Sequence, residues 1–67
     1  MKLYIVATNS AYTILCLAED EKSAVAKADE FYRKEYGESR NDWEAYDLQE
    51  YLSDNEMDIM PIQAWLD

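Results

Sequence analysis

The sequence predicts a small α+β domain of ββααβ order, a short antiparallel sheet with a helix packed on one face. Three observations predict it. Two runs rich in β-branched and aromatic residues, 2–8 and 11–18, flank the polar dipeptide Asn9-Ser10. An amphipathic stretch with start and stop signals follows at 19–37. A second periodic stretch at 42–53 then precedes a short apolar run at 57–64. Strands grouped apart from helices favour α+β over a strand–helix alternation. At 67 residues the chain makes one domain, 1–67.

The first two runs read as a β-hairpin, because asparagine tolerates the positive φ of tight hairpin turns. Leu3, Ile5 and Ala7 alternate with Tyr4, Val6 and Thr8. Tyr12, Ile14, Cys16 and Ala18 alternate with Thr13, Leu15 and Leu17. Both faces are largely apolar, whereas a half-exposed hairpin alternates cleanly, so each face needs a cover. The stretch 19–36 reads as the first helix. Asp20 can cap it, and acids at 19–21 suit its positive end. Ala24, Val25, Ala28, Phe31, Tyr32 and Tyr36 form an apolar stripe. Gly37 suits the left-handed position after the last turn.

After a polar link at 38–41, the second helix is expected over 42–53. Asn41 with Glu44 has capping-box spacing. Ala45, Leu48 and Leu52 cluster on one side of such a helix, and Trp43, Tyr46, Asp47 and Glu50 on the other. A turn at 53–56 and a third strand at 57–64 complete the pattern. Pro61 restricts that strand to an edge, because it has no N–H to donate.

Charge is the most informative feature beyond the fold. Residues 1–37 hold five Lys and Arg against six acids, a net of −1. Residues 38–67 hold Arg40 alone against nine acids, a net of −8 of the chain's −9. Such a domain repels nucleic acid and anionic membranes and attracts basic surfaces. No apolar run approaches the roughly 20 residues that span a bilayer. The uncharged stretch 3–18 is broken by Thr8-Asn9-Ser10 and lacks a signal-peptide cleavage pattern. One cysteine and no histidine exclude an internal disulfide and leave no zinc site. An unpaired thiol fits a reducing compartment, and the expected location is cytoplasmic.

Catalysis and cofactors are not expected. The chain has no histidine to act as a base, and its one glycine makes no phosphate-binding loop. Cys16 falls mid-strand, where cysteine is usually a small buried hydrophobe. Asp54, Glu56 and Asp58 match the first EF-hand ligand spacing, but Ile59 and Trp65 stand where that loop needs glycine and glutamate.

The acids of the C-terminal half admit two readings. They can be a solvated face that keeps an apolar small protein soluble. They can also imitate phosphates, since helix carboxylates at i, i+3, i+4 and i+7 lie about 5–10 Å apart, near the spacing of successive phosphates. Asp47, Glu50, Asp54, Glu56 and Asp58 would form that row, with Glu44 beside it. Trp43 and Tyr46 would anchor the contact, as aromatics do inside polar rims. Alternatively Trp43 folds back over the sheet. Because the first helix covers only one sheet face, a twin subunit is a further candidate cover, giving a homodimer through the sheet.

The segments Asp42-Trp43-Glu44-Ala45-Tyr46-Asp47 and Asp54-Asn55-Glu56-Met57-Asp58, with the small size and acidity, resemble phage-encoded inhibitors. Among these are anti-CRISPR proteins and uracil-DNA glycosylase inhibitors, several of them DNA mimics. Glu38-Ser39-Arg40 partly resembles the Glu-Ser-Ile element of one glycosylase inhibitor. The resemblance is to a class, by composition, and carries no residue roles across. It implies an inhibitor that binds the basic surface of a nucleic-acid-binding protein, not nucleic acid or membrane. The partner-binding candidates are Trp43, Glu44, Tyr46, Asp47, Glu50, Asp54, Glu56 and Asp58. The alternative is a homodimeric structural or regulatory domain with a solvated acidic face.

Overall fold

The structure, a computed structural model, describes residues 1–10, 12–55 and 62–66. Its elements are β1 (Lys2–Ala7), β2 (Thr13–Ala18), α1 (Glu21–Tyr36), β3 (Glu44–Asp47), α2 (Leu48–Asn55) and β4 (Ala64–Leu66). The strands form one sheet in the order β3-β1-β2-β4. β1 pairs antiparallel with β2 and β3, and β4 lies parallel to β2. The molecule is thus a small α+β domain with a mixed sheet.

The hairpin register places Val6 opposite Ile14 and Tyr4 opposite Cys16. A two-residue turn at Asn9-Ser10 would slip this register by one and send half of these side chains to the wrong face. The strands instead end at Ala7 and Thr13, and the Thr8 amide donates to the Tyr12 carbonyl across a longer loop, 3.0 Å. The Thr8 hydroxyl accepts the Ser10 and Tyr12 amides at 3.3 Å, which satisfies those two backbone donors.

α1 follows its sequence signals closely. The Asp20 carboxylate accepts the Ser23 amide at 2.8 Å, and Gly37, at φ 76°, closes the C-terminus by donating to the Arg33 carbonyl. Ala24, Ala28 and Tyr32 form the buried face. The two alanines let the helix backbone sit close on Tyr4, Val6, Ile14, Cys16 and Ala18. Val25, Phe31, Trp43, Ala45, Ala64 and Leu66 pack around this core.

Two elements differ from expectation. Residues 44–47 are a strand, not the first turn of a helix running 42–53. Two capping signals compete here, Asn41 with Glu44 and Asp47 with Glu50. The second prevails, because the Asp47 carboxylate accepts the Gln49 and Glu50 amides at 2.9 and 3.4 Å and starts α2 there. Glu44–Asp47 is then released to pair with the open edge of β1, which supplies ladder hydrogen bonds. Of the strand expected at 57–64, residues 57–61 lie outside the described residues and 62–63 are not in a strand. β4 begins only at Ala64, runs to Leu66 and lies parallel to β2, so the sheet is mixed where an antiparallel one was expected. The Gln63 amide donates to the Thr13 carbonyl at 2.7 Å and leads the chain into β4.

The link from α1 to β3 is held by polar contacts. Asp29 accepts the Ser39 hydroxyl at 2.6 Å, the Arg40 amide at 2.9 Å and the Trp43 indole N–H at 3.0 Å. Asp42 takes a two-pronged contact from Arg40, both prongs 2.7 Å, and also accepts the Asn9 amide from the hairpin loop at 3.2 Å. The Arg40 guanidinium lies 5.5 Å from the Tyr32 ring centre. Tyr12, Tyr32, Tyr36 and Trp43 meet largely edge-to-face beneath it.

The Asp42 carboxyl is held down at about 2, chiefly by the Arg40 hydrogen bonds. That of Asp29 is lowered first by Ser39, then by the Arg40 amide and Trp43. Both fall below the ordinary carboxylate value of about 3.9, so their stabilisation is complete above about pH 4 and is lost as pH falls through the folded values. The gap in melting temperature between the wild type and Asp42→Asn should therefore close between about pH 4 and about pH 2, as followed by circular dichroism. In the core, Ile14→Ala should lower the unfolding free energy by about 2–4 kcal/mol in urea titrations, since Ile14 is fully buried.

Candidate functional site

α1 covers one sheet face, and α2 sits over β1 and β3 on the other. Strand alternation sets the residues of that second face: Ile5 and Ala7 from β1, Thr13 and Leu15 from β2, Glu44 and Tyr46 from β3, and Trp65 from β4. Ile5, Thr13 and Leu15 are buried, while Tyr46 and Trp65 are exposed.

The candidate residues divide by this geometry. Trp43 turns to the α1 side, packs on the core and is anchored through its indole N–H to Asp29. The Tyr46 side chain is on the opposite face by strand alternation, although both residues line one open pocket of about 880 Å³ at the β3 edge. Asp47 is occupied as the cap of α2 and also faces Lys2 at 3.6 Å. Glu44 accepts the Tyr46 hydroxyl at 2.8 Å, a bond that pushes the Tyr46 phenol above its ordinary value. Glu50 lies in the first turn of α2 and Asp54 in its last. Glu56 and Asp58 lie outside the described residues. The structure therefore brings Glu44, Tyr46, Asp47 and Glu50 together around one groove, and Trp43 lines a neighbouring pocket with Glu44 and Tyr46.

These four residues rim an open groove of about 500 Å³ whose floor includes Ile5, Ala7 and Thr13. Tyr51 of α2 forms another wall, with its ring 5.8 Å from that of Tyr46 and tilted by 41°. Lys2, Lys34 and Arg40 form the ion pairs seen among the described residues, with Asp47, Glu30 and Asp42. Neither Glu44 nor Glu50 is among them. The groove thus joins aromatic walls to unneutralised carboxylates, a composition that suits a cation with flat faces.

Thr13 is the feature that sequence reading missed. It is 1% exposed, and its Oγ1 has no hydrogen-bond partner among the described residues. The available signal was a lone hydroxyl in an otherwise apolar strand, Thr13–Ala18. A hydroxyl buried without a partner costs roughly 1–3 kcal/mol.

No group of three or more histidine, cysteine or acidic side chains is positioned to hold a metal among the described residues. No helix among them is long and apolar enough to cross a membrane. No protein-family model matches the chain, and no curated protein or solved structure matches it.

Replacing the orphaned hydroxyl by a methyl group of the same shape should stabilise the fold. Thr13→Val is expected to raise the unfolding free energy by about 1 kcal/mol in urea titrations.

Proposed function

We propose that this chain is an acidic protein-binding domain of inhibitor type, which occupies the basic, nucleic-acid-binding surface of a partner protein. The observation that carries the reading is the pair of unneutralised carboxylates, Glu44 and Glu50, set around the exposed Tyr46 on one face. A merely solubilising face has no need of a tyrosine held between acids, whereas interfaces favour one. The contact surface is the row of acids expected from the sequence, of which Glu56 and Asp58 lie outside the described residues. It centres on Glu44, Tyr46 and Glu50, with Asp54 further along α2. Trp43 serves the fold, and Asp47 serves the start of α2.

The test is capture of partners from a bacterial lysate at low salt, elution with a salt gradient and competition with duplex DNA. A basic protein that DNA displaces is the expected catch. The paired change Glu44→Lys with Glu50→Lys should move its elution to lower salt and reduce the slope of log affinity against log salt by about 2, one for each carboxylate replaced. Melting should fall only modestly: Glu50→Lys puts a cation in the first turn of α2 and Glu44→Lys removes the acceptor of the Tyr46 hydroxyl, but neither carboxylate joins an ion pair among the described residues. Unchanged elution of the double variant would overturn the reading.

A second reading, a homodimer through the sheet, draws on Trp65, which is 70% exposed on the edge strand β4. It requires a melting temperature that rises with protein concentration and loses that dependence in Trp65→Lys.

A further inference from the structure

We infer that the groove between β3 and α2 is a receptor for one arginine side chain presented by the protein partner, with Thr13 as its buried hydrogen-bond acceptor. This rests on the acidic-surface reading and narrows it from a charged face to one side-chain site.

Three independent features converge on that chemistry. The first is charge. Glu44 and Glu50 stand at the rim with no cation against either among the described residues, and Asp47 adds negative potential although Lys2 partly offsets it at 3.6 Å. The second is shape. Tyr46 and Tyr51, tilted by 41° with ring centres 5.8 Å apart, present flat π surfaces beside the carboxylates. Guanidinium is planar, weakly hydrated and stacks on such rings, whereas ammonium is a compact and strongly hydrated point charge.

The third feature is the orphan. β2 alternation directs Thr13 to the same face as Leu15 and Ile5, and Thr13 is among the residues at the groove floor, with its Oγ1 just beneath the accessible surface. That Oγ1 is buried and unpartnered among the described residues. A buried hydroxyl without a partner is a standing cost, and retaining one is understandable where an incoming donor completes it. A guanidinium group carries five N–H donors in a rigid fork, so it can meet Thr13 at the floor and a carboxylate at the rim together. An ammonium group on its flexible stem has no such fixed division of donors. The groove, at about 500 Å³, is open enough to admit a long side chain with some of its water.

The experiment is an NMR titration of the full-length, isotope-labelled chain at low salt. Three probes are used: the blocked peptides acetyl-Gly-Arg-Gly-amide and acetyl-Gly-Lys-Gly-amide, and free L-arginine. The arginine peptide is expected to give saturable shifts at the methyl groups of Thr13, Ile5 and Ala7 and at the Tyr46 and Tyr51 rings. Its affinity should exceed that of the lysine peptide by roughly fivefold, the equivalent of one net hydrogen bond. Free arginine should bind more weakly than the peptide, because its own carboxylate meets Glu44 and Glu50.

Thr13→Val should remove the preference for arginine over lysine in a protein that remains folded. Thr13→Ser, which keeps the hydroxyl, should retain it. Equal affinities for the two peptides would overturn the inference, as would shifts spread over α1 acids such as Glu30 and Glu35. An arginine preference that survives in Thr13→Val would also overturn it. Tighter binding of free arginine than of the peptide would replace the protein partner with a small metabolite and overturn it as well. The salt-gradient elution is read separately: if it stands while the groove fails, the acidic face binds its partner by diffuse charge alone.

Discussion

The triple acceptor role of Asp29 is the constraint on which the C-terminal half depends. One carboxylate on α1 holds a hydroxyl, a backbone amide and an indole from the link that follows the helix. Hydrogen bonds to an ionised acceptor are stronger than neutral ones, and three that converge on one carboxylate hold the link even though water around the partly exposed Asp29 screens each of them. They fix the direction in which the chain leaves α1. From that direction Glu44–Asp47 meets the open edge of β1, and α2 starts at once behind it. Without the clasp, the four residues of β3 would have little to choose between strand and helix.

The sheet separates two kinds of work. Its α1 side packs small residues against large ones, alanines on the helix against Tyr4, Val6 and Ile14 on the strands, beside an edge-to-face aromatic cluster under Arg40 and an open pocket of about 880 Å³ near Tyr4, Val25 and Trp43. Two of its acids, Asp29 and Asp42, are held ionised by fixed donors. The α2 side differs in kind. It leaves a groove, two unneutralised carboxylates, an exposed Tyr46 and a buried hydroxyl with no partner among the described residues. Departures from good packing and full hydrogen bonding that gather on one face are where function is reasonably sought, because local consistency is what folding alone selects.

Much of this fold was legible in the residues. α1 announced itself through Asp20, its alanine-rich stripe and Gly37, since both caps are local signals that no distant contact needs to confirm. The hairpin strands were equally plain, and their two apolar faces correctly required two covers. The start of α2 was not legible, because Asn41–Glu44 and Asp47–Glu50 carry the same capping spacing and only pairing with β1 decides between them. That pairing is non-local, and a four-residue strand has too short a period to declare itself. The parallel β4 was hidden for the same reason. Of the candidate site, Glu44, Tyr46, Asp47 and Glu50 line one groove, on a strand followed by a helix rather than on the single helix the sequence suggested. Trp43 went to the core because Asp29 could satisfy its indole N–H. Thr13 escaped notice because only three dimensions show that its hydroxyl has nothing to bind.

Cys16 is the chain's sole thiol, it is fully buried beneath α1, and burial pushes its ionisation upward despite the opposing influence of Lys27. A thiol reagent needs both access and a thiolate, and the native fold grants neither. Alkylation of Cys16 would therefore clock opening of the core, with no added probe. An engineered surface cysteine could meanwhile carry a fluorophore or crosslinker as the molecule's only readily reactive group.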